Sequence, residues 1–300
     1  MIDGIPAAEI VVEPALVRAL LVEQQPDLQG LPLTAAGSGW DNTLYRLGEA
    51  LVVRLPRRAE AVALIEHEQR WLPELAPLLP LPVPVPVRRG RPGCGFPWPW
   101  NIVPWLPGDD AIIAPVRDTA SAALALGAFV RAMHRPAPPA APVNPYRGVP
   151  LEQRTAMVSD RLVQLEGIVE SAPVRAMWNE LVSTPPWPGP PLWIHGDLHP
   201  GNLLVHDGRL AAVIDFGDVT SGDPATDLAI AWMLLPPSTR LSFRDAAADP
   251  AQPIDDDTWT RARGWALAFG LIFLASSRHN PTMAALGRTT IDAVLADRPS

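Results

Sequence analysis

Apolar and polar positions alternate differently in the first third of the chain and in the remainder. Within residues 14–25, Leu16, Leu20 and Leu21 fall at helical spacing and predict an amphipathic helix. Residues 31–36, 43–47 and 51–55 are short apolar-rich runs separated by turn residues, and they predict three strands. A helix follows over residues 59–72, which Pro73 is expected to close. In residues 81–87, proline alternates with Leu and Val. An extended connector or edge strand is favoured there over a polyproline ligand, because no disordered flank surrounds it. Residues 100–105 predict one more strand, broken by Leu106-Pro107-Gly108.

Beyond that break the period becomes helical. Helices are expected over residues 119–134, 151–170, 174–183, 225–235, 258–275 and 282–295, with short strands at 192–194 and 210–214. The fold expected is α+β and two-lobed. A small antiparallel-sheet lobe (1–106) joins a larger, mainly helical lobe (107–300).

Composition narrows the function. The chain has 300 residues, 48% hydrophobic and 19% charged, which excludes intrinsic disorder. Its 37 prolines argue against long coiled coils. The net charge is −8, and all 24 basic residues are Arg, which disfavours nucleic-acid binding. Cys94 is the single cysteine, so no intrachain disulfide can form. No signal-peptide pattern opens the chain, and the most apolar stretch, 265–275, is too short to span a bilayer. A cytoplasmic protein without nucleic-acid or membrane partners is expected, as a monomer or a homodimer.

The candidate chemistry lies in two loops, His195-Gly196-Asp197-Leu198-His199-Pro200-Gly201-Asn202 and Ile214-Asp215-Phe216-Gly217-Asp218. Phosphoryl transfer needs a carboxylate near the attacking hydroxyl and oxygen ligands that hold magnesium on the nucleotide phosphates. Asp and Asn five residues apart, with a second Asp after the next hairpin, meet that need. Either loop alone reads more simply as turn chemistry; the two together at this spacing do not.

These loops resemble those of the aminoglycoside phosphotransferases and related small-molecule kinases. The resemblance implies a protein-kinase-like fold, with Asp197 as catalytic base and Asn202 and Asp215 as magnesium ligands. The implied cofactors are Mg2+ and ATP, with GTP possible. The implied partners are a nucleotide and a small-molecule hydroxyl acceptor. Gly37-Ser38-Gly39 matches the start of a phosphate-covering loop, with Asn42 where a third glycine would fall, a residue tolerant of left-handed backbone. Arg54 stands where kinases place a phosphate-gripping lysine; it keeps the charge but not the geometry. Of its two candidate partners, Glu68 shares the buried stripe with Ile65 and Leu72, whereas Glu66 points away. Adenine is expected near Pro104 to Leu106, where Trp105 can flank it.

Asp223-Pro224 reads as a helix start, and Asp227 as a structural residue that, by the resemblance, braces the catalytic loop. His195 and His199 are expected to orient that loop. Gly196 stands where protein kinases carry an Arg, and only seven residues separate Asp215 from Asp223, so a small-molecule acceptor is favoured over a protein. Asp255-Asp256-Asp257 can attract a polycation but reads first as a helix cap. Antibiotics, choline-like alcohols, homoserine and sugars all remain open as acceptors, and family membership does not establish antibiotic resistance. A catalytically silent nucleotide-binding scaffold is the alternative, with Arg54 in its favour.

Overall fold

The computed structural model describes residues 6–249, 253–277 and 279–297. After helix α1 (Pro14–Gln24), strands β1 (Leu33–Ser38), β2 (Asn42–Leu47) and β3 (Leu51–Pro56) form an antiparallel meander. Helix α2 (Val62–Leu75) then leads to β4 (Arg88–Gly90) and β5 (Trp100–Pro104), giving the sheet order β1-β2-β3-β5-β4. Apolar side chains from α1 and this sheet, among them Leu20, Leu47, Val53 and Ile102, form one core cluster.

Helix α2 carries the sequence stripe as expected: Ile65, Glu68, Trp71, Leu72 and Leu75 are buried, and Glu66 is exposed. It does not stop at Pro73. Trp71, Leu72 and Leu75 belong to the second, larger core, and Trp71 meets Trp193 at 5.0 Å between ring centres. Burial of these side chains offsets the lost hydrogen bond and steric cost of an interior proline, about 3 kcal/mol. The proline-rich run at 81–87 has no regular structure. It is fixed at both ends, by Val213 N–H on the Pro82 carbonyl and by Val87 N–H on the Ile102 carbonyl.

The rest of the chain is mainly helical. Strand β6 (Asp109–Asp110) precedes α3 (Thr119–Met133), α4 (Thr155–Gln164) and α5 (Ser171–Val182). Strands β7 (Leu192–Ile194), β8 (Leu203–His206), β9 (Arg209–Val213) and β10 (Thr220–Gly222) follow. They form two small sheets, β10-β7 and β6-β8-β9. Helices α6 (Ala225–Leu228), α7 (Ile230–Leu234), α8 (Pro237–Ala247), α9 (Asp256–Ser276) and α10 (Pro281–Ala296) complete the described chain.

The helices expected at 151–170 and 225–235 are each broken, the first ending at Gln164 and the second divided at Ala229. Helix α8 and strands β4, β6 and β10 were not expected. The three strands are two or three residues long, too short to show a period, and the proline pair at 236–237 reads as a breaker although it starts α8.

Helix α9 is buried along most of its length. Where α10 crosses it, a Cβ on Gly287 would lie 2.5 Å from the Leu274 nitrogen, so glycine sets how closely the two helices approach. Asp255 accepts from Thr258 N–H at 2.7 Å and Asp256 pairs with Arg244, so this end of the acidic run serves as a cap and an ion pair. None of the helices among the described residues is long and apolar enough to cross a membrane.

Candidate active site

The loop from β7 to β8 is fixed from beneath by one carboxylate. Asp227, fully buried in the first turn of α6, accepts the N–H of His195 through Oδ2 at 2.8 Å and that of Gly196 through Oδ1 at 2.9 Å. His134 Nε2 also reaches Oδ2, at 3.2 Å. Asp223, at the start of α6, accepts from Ala225 N–H and pairs with the buried Arg261 of α9 at 2.7 Å. The loop is therefore anchored through α6 to the central helix. Gly196 has φ 84°, and a Cβ there would sit 2.4 Å from the Asp218 carbonyl oxygen. Both the conformation and the space demand glycine. The Arg of protein kinases could not fit here.

Two histidines orient the loop. The Nδ1 of His195 accepts from Asp197 N–H at 3.3 Å, so its Nε2 carries the proton and donates to the Ile214 carbonyl at 3.0 Å. By the same logic, Nδ1 of His199 accepts from Gly201 N–H at 3.0 Å, and its Nε2–H faces Asp197 Oδ2 at 3.4 Å. Asn202 donates through Nδ2 to the Asp197 carbonyl at 2.9 Å, which leaves Oδ1 as its outward group. Arg147 approaches the other Asp197 oxygen, Oδ1, at 3.1 Å. Burial alone would raise the Asp197 carboxyl. His199, Arg147 and His195 reverse this and hold it below the usual carboxylate range.

Asp215 sits after β9 in the left-handed region, φ 63°, with its side chain half exposed. Its Oδ1 lies 3.1 Å from Nη2 of Arg54, whose Nη1 is 2.7 Å from Glu68 Oε1. Asn101 adds a hydrogen bond to Glu68 Oε2. Burial would lower the Arg54 guanidinium, but Glu68 and Asp215 more than compensate, so it stays charged. Glu68 is fully buried, so removing its cation alone strands a charge. Arg54→Met should cost about 3–5 kcal/mol in urea unfolding, and adding Glu68→Met should recover most of it.

A cavity of about 280 Å³ lies between the sheet and the segments that carry Leu106, Leu204 and Asp215. Gly39, Asn42, Arg54, Trp105, Leu106 and Asp215 are among its lining residues; Gly37 and Ser38 are not. Gly37 has φ 114° at a bulge in β1, and Ser38 turns toward Thr43. Asn42 has no left-handed backbone: it is a buried residue of β2, so the glycine-like role expected for it does not arise. Trp105 carries the Arg46 guanidinium 4.1 Å over its ring, and its backbone N–H donates to the Ala50 carbonyl. Pro104 has no N–H, so Leu106 carries the next N–H available to a base.

The structure thus links Glu68, Arg54 and Asp215 by ion pairs, and Ile214 N–H on the Asn202 carbonyl joins them to Asn202 and Asp197. It adds residues that sequence reasoning did not single out: Arg147, Asn144, Asn101, His134 and Asp218. Asp218 was legible only as part of its motif. Burial, and after it the charge of Asp197, raises its carboxyl to about 6, while Asn144 donates to it at 2.7 Å. The folded chain therefore holds a proton that the unfolded chain releases near 3.8. Stability attributable to this group falls as pH rises from about 4 to about 6. Asp218→Asn should be neutral near pH 4 and stabilising by about 1 kcal/mol above pH 7, read from thermal melts across that range.

Comparison with known proteins bears on the family and the fold. Residues 32–265 match the phosphotransferase enzyme family. No curated protein sequence matches. Among solved structures, the chain is similar to aminoglycoside 2'-phosphotransferase-IIIa in its GDP complex. The TM-score is 0.68 at 18% identity, covering 95% of this chain and 99% of that one. It is also similar to the macrolide 2'-phosphotransferase of Brachybacterium faecium, with a TM-score of 0.61 at 22% identity and coverage of 95% and 99%. A third is the streptomycin–ATP complex of APH(2")-IIa, with a TM-score of 0.56 at 15% identity and coverage of 92% and 95%. At these identities the structural matches establish the fold, a kinase-like sheet followed by a helical region. With the family match spanning most of its length, the chain belongs to the phosphotransferase enzyme family.

Proposed function

We propose that the protein transfers the γ-phosphate of ATP or GTP to a hydroxyl group of a small molecule. The observation that supports this reading is the link between the two loops: Ile214 N–H donates to the Asn202 carbonyl at 2.9 Å, Asn202 Nδ2 donates to the Asp197 carbonyl, and the adjoining Asp215 lines the cavity beside Arg54. Solved relatives of the same fold hold GDP in one case and ATP in another.

In this reading the base enters the cavity against Trp105 and meets the Leu106 N–H, and the phosphates extend toward Arg54, which Glu68 keeps in place. Of Gly37-Ser38-Gly39, Gly39 lines the cavity and lies over the phosphates. Asn202 Oδ1 and the Asp215 carboxylate are hard oxygen donors, one neutral and one charged. They suit Mg2+, which takes few protein ligands and fills its shell with phosphate oxygens and water. Bound there, Mg2+ would neutralise charge on the β- and γ-phosphates. Asp197 orients the acceptor hydroxyl and takes its proton as the oxygen bonds to the γ-phosphorus. The bond from that phosphorus to the β-phosphate oxygen breaks, and the nucleoside diphosphate leaves. His195, His199 and Asp227 hold Asp197 in position. Acceptor specificity belongs to the helical region.

A second reading, a silent nucleotide-binding scaffold, draws on the Arg54–Asp215 ion pair, which engages the carboxylate proposed for magnesium. Calorimetric titration of ATP and GTP, with magnesium and with a chelator, tests the nucleotide site itself. Magnesium-dependent binding of either nucleotide is expected, and absence of binding under all conditions contradicts both readings.

A further inference from the structure

Arg147, beside Asp197, and Arg154, which rests on the adjoining Tyr146, are guanidinium groups that the transfer chemistry does not require. Arg147, which reaches Asp197 Oδ1, lies with its guanidinium 4.9 Å over the ring of Phe269 in α9. Arg154 is only 8% exposed and makes no hydrogen bond or ion pair to any described residue. Its guanidinium lies 5.6 Å from the ring centre of Tyr146, the neighbour of Arg147 in sequence. The Nε atoms of both arginines are buried without a partner. Burial first, and Arg147 next, hold the Arg154 guanidinium below its ordinary range, so the two cations feel each other.

A buried cation with no counter-ion is costly, and it survives where a ligand supplies the missing charge. Both guanidinium carbons lie against aromatic rings, and an oxyanion can take the N–H groups that no described residue accepts. The acidic run that could draw a polycation is elsewhere. Asp255 caps α9 fourteen residues before Phe269, about 21 Å away along the helix. We infer that the acceptor carries an oxyanion, a carboxylate or a phosphate ester, near the hydroxyl to be phosphorylated, and that Arg154 and Arg147 bind it. The inference rests on Asp197 marking the reaction centre. An anion that draws Arg147 toward itself also frees Asp197 Oδ1 to accept from the hydroxyl.

The test uses hydroxy acids and sugar phosphates, each paired with its neutral analogue: glycerate with glycerol, and glucose 6-phosphate with glucose. Kanamycin serves as the polycation. Binding is measured by calorimetry with and without magnesium and a non-hydrolysable ATP analogue. The charged member of at least one pair should bind about tenfold tighter than its neutral partner. Which pair responds distinguishes carboxylate from phosphate. Arg154→Gln should erase that preference, and ligand-free Arg154→Met should melt no lower than the parent, since it loses an unpaired buried charge. Equal affinity within every pair, tightest binding by kanamycin, or no charged ligand bound at about 10 mM would each overturn the inference. Phosphate transfer is scored separately. A charge preference without transfer counts against the kinase reading alone, whereas transfer only to neutral or cationic alcohols upholds that reading and overturns this one.

Discussion

Asp197→Asn is expected to lower turnover by about 10²–10⁴-fold while nucleotide affinity stays nearly unchanged. The amide keeps the size of the carboxylate and an oxygen for Arg147 Nη2 or His199 Nε2, so the loop held by Asp227 should not move. What it loses is the capacity to take a proton from an acceptor hydroxyl. Steady-state kinetics paired with nucleotide titration separate the two effects. Turnover equal to the parent would remove Asp197 from the chemical step, and a parallel loss of nucleotide affinity would point to a collapsed loop.

Asp215→Ala should act on binding rather than on proton transfer. Arg54 remains held by Glu68 at 2.7 Å, so the fold should persist without the outer carboxylate. Magnesium-dependent nucleotide affinity should fall by about two orders of magnitude, equivalent to about 3 kcal/mol, while the weak binding seen with a chelator should change little. Titrations of parent and variant in both conditions give the comparison directly. Unchanged affinity in magnesium would refute the assignment of Asp215 as a ligand. Equal losses in both conditions would instead assign it to shaping the Arg54 site.

Much of this arrangement could be read from the sequence because it depends on local spacing. The two loops place Asp197, Asn202 and Asp215 through short-range geometry, and the period of α2 alone put Glu68, not Glu66, on the buried face. The strands β1 to β3 were legible because turn residues bound them. Other features depend on partners far away in the chain. Helix α2 passes Pro73 because its far end packs against Trp193, a contact no local pattern announces. Arg147 and Asn144 lie in an irregular segment between α3 and α4, where there is no period to follow, yet they reach Asp197 and Asp218 across 50 and 74 residues. Asp227 has the expected place in the first turn of its helix. Its carboxylate holds the loop that carries Asp197, as the resemblance implied but no local pattern could show, a link between segments 31 and 32 residues apart.

The central claim, phosphate transfer to a small-molecule hydroxyl with Asp197 as base, is tested most directly by mass spectrometry of candidate acceptors. Aminoglycosides, macrolides, choline, homoserine, sugars, sugar phosphates and hydroxy acids would each be incubated with magnesium and ATP or GTP, with the parent protein and with Asp197→Asn in parallel. The account predicts a phosphate-sized mass gain on at least one alcohol with the parent, reduced by about 10²-fold or more with the variant. Equal product from both proteins, or tight magnesium–nucleotide binding with no phosphorylated product from any alcohol, would contradict it.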